Sequence, residues 1–147
     1  MKIDIQKIES GEDQVIIRYR EKTRKIQRIL DALGDEGTKL FGKKDGETVP
    51  VSPGSILYIE SVDDKVFAYT KNDVVRLDGS LTTLMQDLND DRFFRCSKSM
   101  IINIEKVDRL KSLSSNRIDA TMESGEHILI SRTYASEFRR ILGTGKR

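Results

Sequence analysis

Tryptophan is absent from the 147 residues, and cysteine and histidine occur once each, as Cys96 and His127. A lone thiol closes no internal disulfide, and a lone imidazole cannot build a usual zinc site. The chain is therefore expected to be free of disulfides, metal and cofactor. No apolar run approaches the roughly 18 residues that a membrane span needs. Met1-Lys2-Ile3-Asp4-Ile5 carries charge where a secretory signal would be apolar, so a soluble, cytoplasmic protein is expected. Excess charge is lacking too: the net value is +2, with 10 Lys+Arg against 8 Asp+Glu in residues 1–43 and 16 against 16 in residues 44–147. Total charge thus decides nothing about nucleic acid, because affinity comes from the phosphates actually neutralised. Enzyme signatures are also missing: there is no Walker-type loop, no G-x-G-x-x-G and no G-x-S-x-G. His127 begins an apparent strand after a turn, where a surface role is expected. The acid pairs Asp63-Asp64 and Asp90-Asp91 sit in turn clusters, which adjacent acids commonly shape.

What is present is enough to fold. Hydrophobic residues make up 37% and charged residues 34% of a length that holds one domain with a short appendage. Ile3 and Ile5 alternate with polar residues, and Val15-Ile16-Ile17-Arg18-Tyr19 is β-branched, so two strands are predicted around the Ser10–Asp13 turn. Thr23 precedes a helix with Ile26, Ile29, Leu30 and Leu33 on one face, stopped by Gly34 and followed by a loop to Thr38. Six cations between Arg18 and Arg28, against Glu21 alone, predict a solvated basic face.

From Lys39 onward the texture is short strands and tight turns. Asp45-Gly46 marks a hairpin between Lys39–Lys43 and Glu47–Val51, and Pro50 points to an edge strand. Strands are predicted at Ile56–Glu60, Lys65–Thr70, Val74–Leu77, Val107–Leu113, Ile118–Met122 and His127–Ile130. Ser80 caps a helix carrying Leu81, Leu84, Met85 and Leu88, ended by Asn89-Asp90-Asp91. Ser131 caps a last helix with Tyr134, Phe138, Ile141 and Leu142, ending at Gly143. The expected fold is mainly β, with helices at the periphery.

Arg92 to Ile104 stands out, with three cations and no acid in thirteen residues of an otherwise neutral domain. Alternation there predicts apolar side chains in a core and Arg, Lys and Ser outward, suited to phosphate or guanine. Beside Arg95 and Lys98, Cys96 is a candidate for a lowered thiol pKa, though a small packed residue is the favoured reading. Ser131-Arg132-Thr133-Tyr134 forms a second cluster, where a helix N-terminus favours a phosphate.

The same residues carry a family resemblance. The order Ile56-x-Tyr58-Ile59-Glu60, Val66-x-Ala68-Tyr69-Thr70, Ser80-Leu81-x-x-Leu84, Phe94-Arg95-Cys96-Ser97-Lys98-Ser99-x-Ile101-Ile102-Asn103 and Gly125-x-x-Ile128-x-Ile130-Ser131-Arg132-x-Tyr134 resembles the LytTR DNA-binding domain. The likeness runs from about Lys39 to Leu142, and residues 1–38 look like the N-terminal region of stand-alone LytTR proteins that lack a phospho-receiver domain. This divides the chain into a strand-strand-helix extension, 1–38, and a LytTR-type domain, 39–147.

The resemblance implies short antiparallel sheets with small flanking helices, loops that enter successive major grooves, and bent DNA. By motif position it assigns DNA contact to Lys65, Arg95, Ser97, Lys98, Ser99, Ser131 and Arg132, with Arg132 on a base. Asn103, Phe94 and Tyr134 are architectural in this reading, and Arg95 can serve either side. Position 97, often histidine in the family, is Ser97 here, and Asp63 and Asp64 stand where they repel phosphate. Both bear on the target sequence. The implied partners are double-stranded promoter DNA, a small membrane-protein inhibitor and a second copy on tandem sites. A second class of reading is a protein-interaction module without DNA, using sheet edges or the N-terminal helix.

Overall fold

The computed structural model describes residues 1–33, 40–88 and 90–145. The expected helix stop at Gly34, the loop to Thr38, the boundary at 38/39, the start of a strand at Lys39 and the role of Asn89 lie outside the described residues. Among those described are ten strands and three α-helices, in the order α1 (Arg24–Ala32), β1 (Leu40–Lys44), β2 (Glu47–Val51), β3 (Ile56–Val62), β4 (Lys65–Thr70), β5 (Val74–Leu77), α2 (Leu81–Leu88), β6 (Phe93–Arg95), β7 (Met100–Asn103), β8 (Val107–Leu113), β9 (Arg117–Met122), β10 (His127–Ile130) and α3 (Arg132–Gly145). No helix among the described residues is long and apolar enough to cross a membrane.

Turn chemistry fixes the hairpins. Asp45 and Gly46 have φ of 50° and 79°, and Asp63 and Asp64 have 51° and 64°. Two consecutive left-handed residues give the twist that two-residue hairpins need, and aspartate tolerates that conformation better than most side chains. The acids at 63 and 64 are thus explained by backbone geometry. A seven-stranded antiparallel sheet results, in the order β2-β1-β5-β4-β3-β7-β6, beside a three-stranded sheet, β10-β9-β8. Pro50 lies on β2, an edge strand, where its missing N–H costs no ladder bond.

Two cores share the larger sheet. One packs Leu81, Leu84 and Leu88 of α2 on Ile59, Val66, Ala68, Val75, Leu77, Phe93 and Ile101. The other packs Phe94, Ile102 and Ile104 against Ile118, Ala120, Met122, Ile128 and Ile130 of the small sheet and Ala135 and Phe138 of α3. Strand side chains alternate faces. The doublets Phe93-Phe94 and Ile101-Ile102 therefore feed one residue to each core. This corrects the expected inside–outside alternation of residues 92–104: both faces of β6 and β7 are covered, and polar side chains collect in the connecting loop.

Arg92 is a second correction to that segment. Its guanidinium is buried, donating to Asp90 at 2.6 Å and to Asp31 of α1 at 2.6 Å. A Cβ on Gly54 would stand 2.8 Å from that guanidinium, so glycine leaves it room. Helix α1 docks through this clasp and through Arg24 and Arg28, each 3.7 Å from Glu105. Thr23 caps it as expected, accepting from the Ile26 N–H at 3.3 Å. The expected apolar stripe holds only in part. Ile26 is buried, but so is Gln27, whereas Leu33 is 53% exposed. The helix presents a polar face to the ion pair, and two of the six predicted solvated cations are engaged by Glu105.

The strands expected at Ile3–Ile5 and Val15–Tyr19 enter no ladder. Strand-like sequence becomes a strand only when its backbone finds a partner edge. Helix α3 also runs past Gly143, to Gly145.

Candidate nucleic-acid interface

Three loops meet at one end of the molecule, and main-chain bonds join them. The Ser61 N–H at the β3–β4 hairpin donates to the Ser99 carbonyl at 2.8 Å. The Ser131 N–H, entering α3, donates to the Cys96 carbonyl at 3.0 Å. The β6–β7 loop, residues 96–99, is thus tied on both sides, between the loop that carries Lys65 and the one that carries Arg132, with Lys98 in the middle. All three side chains are exposed, and none forms an ion pair among the described residues.

The middle loop owes its shape to Arg95. Its guanidinium donates to the carbonyls of Ser97 at 2.8 Å and Lys98 at 2.5 Å, and to Thr82 Oγ1 of α2 at 3.4 Å. Ser97 Oγ accepts from the Ser99 N–H at 3.2 Å, closing the turn from inside. Of the two sides open to Arg95, this geometry occupies the protein side. Ser97 is half-buried, while Lys98 and Ser99 stand outward.

The first loop has a stiffened stem. Tyr58 stacks on Tyr69 with ring centroids 4.5 Å apart, and the Tyr69 hydroxyl donates to Glu60 at 3.0 Å. Burial, then that bond and the Glu60 charge, push the Tyr69 hydroxyl up to about 12, so it remains a donor at neutral pH. In the third loop the Ser131 carbonyl accepts from the N–H groups of Tyr134 and Ala135. The N–H groups of Arg132 and Thr133 take no acceptor among the described residues. Exposed N–H groups at the start of a 14-residue helix favour an anion.

The architectural assignments agree with the geometry. Asn103 is fully buried, donating to the Ile56 carbonyl at 2.8 Å and accepting from the Glu105 N–H at 3.0 Å. Phe94 meets Tyr134 edge-on and lies 5.2 Å from Phe138, centroid to centroid. His127 is exposed on β10, its Nδ1 3.0 Å from Asp119. Cys96 is fully buried, and burial pushes its thiol up to about 12 despite the nearby Arg95. The packed-residue reading therefore applies. A disulfide reagent at neutral pH is expected to label Cys96 only after denaturant is added; rapid stoichiometric labelling of the folded chain would contradict this.

Sequence reasoning missed two contributors, Arg95 as the brace of its own loop and Thr82 as its anchor on α2. The signal for the first was weak: an arginine at a strand end before a four-residue turn. For the second there was none, because Thr82 lies thirteen residues away on another element.

Known proteins share this fold. A family model described as the LytTr DNA-binding domain matches residues 46–143. The LytTr DNA-binding domain of a methyl-accepting/DNA response regulator from Bacillus cereus is 26% identical, with a TM-score of 0.69, covering 72% of this chain and 97% of that one. The sensory transduction protein LytT of Enterococcus faecalis is 22% identical over 148 residues, 91% of this chain and 61% of its own length. LytT of Bacillus cereus is 29% identical over 134 residues, 88% of this chain and 54% of its own. The chain thus spans between half and two thirds of the length of these relatives.

Proposed function

Since the chain belongs to the LytTR DNA-binding domain family, we propose that it regulates transcription by reading promoter DNA with the three joined loops. The observation that carries this reading is the pair of main-chain bonds, Ser61 to Ser99 and Ser131 to Cys96, which join the loops that carry Lys65, Lys98 and Arg132, three exposed cations without an ion-pair partner among the described residues. Arg132 reaches a base edge, where its planar fork suits guanine, while the N–H groups of Arg132 and Thr133 hold a phosphate at the helix start. Lys98, Ser99 and Lys65 take phosphates on either side, and Ser97, Ser131 and Arg95 set the loop geometry.

Loops on separate elements reach successive major grooves only if the duplex curves toward them. Such bending costs roughly 1–6 kcal/mol by elastic estimates, so deformable base steps add to selectivity. A second copy on a tandem site doubles the contacts. The predicted behaviour is a steep fall of affinity with salt, since each neutralised phosphate releases counterions.

Fluorescence anisotropy with duplexes from the protein's own promoter region, at two salt concentrations, tests the proposal. Arg132→Ala is expected to cost about 1–3 kcal/mol on the preferred sequence and to relax discrimination at one position. Adding Lys98→Ala lowers affinity for all sequences and flattens the salt slope by about one. Selective binding that ignores both substitutions would move the reading surface elsewhere. No selective binding at all would favour the protein-interaction alternative.

A further inference from the structure

We propose that residues 1–22 form a dimerisation arm whose partner is a second copy of this chain, with the Val15–Tyr19 segments pairing antiparallel about a two-fold axis at Ile16. This rests on residues that the DNA-reading surface leaves unused. Ile3, Ile5, Val15, Ile16 and Tyr19 are 78%, 90%, 68%, 66% and 51% exposed. So much apolar surface on one short segment marks an interaction site. The segments around residues 2–8 and 13–18 double back at Gly11, whose φ is 96°, and line an open groove of about 850 Å³. Neither segment is a strand in the single chain. Their backbone groups are available to a partner edge, and the β-branched run Val15-Ile16-Ile17 suits one.

The charges point to self-association. Residues 1–22 contain five cations, Lys2, Lys7, Arg18, Arg20 and Lys22, and five acids, Asp4, Glu9, Glu12, Asp13 and Glu21. A neutral arm of mixed sign is a poor ligand for a phosphate-rich surface and a good one for itself. In a two-fold antiparallel pair the residue at the axis faces its own counterpart, and every other contact occurs twice. With the axis at Ile16, that residue meets Ile16 of the partner subunit and Val15 meets Ile17 of the partner subunit. Gln14 meets Arg18 of the partner subunit, and Glu12 meets Arg20 of the partner subunit. Apolar residues occupy the centre, opposite charges flank it, and no like charges face. Moving the axis to Ile17 would set Asp13 against Glu21 of the partner subunit, a repulsive pair. The Lys2–Ile8 segments then close on the outer edges, and four strands give the sheet stability that two lack.

Light scattering after size exclusion of the full chain, without DNA, tests the arm. The wild-type chain is expected at twice its 16.8 kDa mass. Glu12→Arg and Arg20→Glu each introduce two like-charge contacts and are expected to weaken dimerisation about tenfold or more. Combining Glu12→Arg with Arg20→Glu swaps the charges and restores it. Circular dichroism on each variant confirms an intact body, to which these exposed side chains do not contribute. A monomeric wild-type chain at every concentration overturns the arm, as does a dimer indifferent to all three variants. Binding of a monomeric wild-type chain to phosphatidylglycerol vesicles would assign the arm to a membrane surface instead. The DNA reading is separable: a monomer that still binds a single site through Arg132 sinks only the arm, and a dimer that ignores promoter DNA sinks only the reading surface.

Discussion

Phe138→Ala is expected to lower the unfolding free energy by about 3–5 kcal/mol, as removal of a buried ring commonly does. Phe138 is fully buried at the centre of the second core, where its ring lies against Phe94 and where α3 meets the small sheet. The core around it is built from both sheets and from α3 itself, elements that cannot close fully over a missing ring. Total stability of a domain is about 5–15 kcal/mol, and the loss is a large share of it. The effect extends to the interface, because Phe138 seats the helix whose first residue is Arg132. Urea unfolding gives the stability loss, and anisotropy below the unfolding transition gives the loss of DNA affinity. A loss under about 1 kcal/mol would mean that α3 is not held by this contact.

Arg92→Met is expected to cost about 3 kcal/mol, the lower end for breaking a buried ion pair by removing one partner. The lower end applies because Asp31 stays 37% exposed, while Asp90 is largely covered and loses its counter-charge. The pH dependence has a definite sign. Burial pushes the Asp90 carboxyl up, but the hydrogen bonds and charge of Arg92 outweigh it and hold it below its ordinary 3.8. A depressed folded value gives stabilisation that is complete above the unfolded value and disappears as pH falls through the folded one. The gap between wild type and variant should therefore be widest at neutral pH and narrow below about pH 4. Chemical denaturation at both pH values measures it; a pH-independent gap would rule out this account. Adding Asp90→Asn to Arg92→Met should recover part of the loss, since the covered carboxylate is then neutral and only the more exposed Asp31 is left without its partner.

Arg92 also shows where sequence reading stops. Counted along the chain it is one more cation in a basic stretch, and nothing local reveals that Asp31, 61 residues earlier, waits across the fold. Arg95 is similar: its type suggests a phosphate, but the carbonyls of Ser97 and Lys98 come within reach only after β6 and β7 pair. Legible features were those set within a few residues. Asp45-Gly46 dictated a hairpin, Pro50 an edge, and Ser80 a cap, where its Oγ accepts from the Thr83 N–H at 3.1 Å. The insertion of β5 between β1 and β4 was not legible, because strand order is decided by which faces cover the core. The loops as a surface were half legible. Their residues carried a recognisable motif, whereas the bonds that join them belong to the backbone and leave no mark on residue type.

That last property has a consequence for how such a reader changes over generations. Bonds made by peptide groups are indifferent to the side chains beside them, so the residues at 65, 98, 99 and 132 can be exchanged without moving the frame that presents them. If these residues read DNA as proposed, preference for one operator over another can drift, or be rewritten in the laboratory, one letter at a time while folding stays constant. The surface behaves like movable type locked in a fixed forme: the characters are interchangeable because the frame never depended on them.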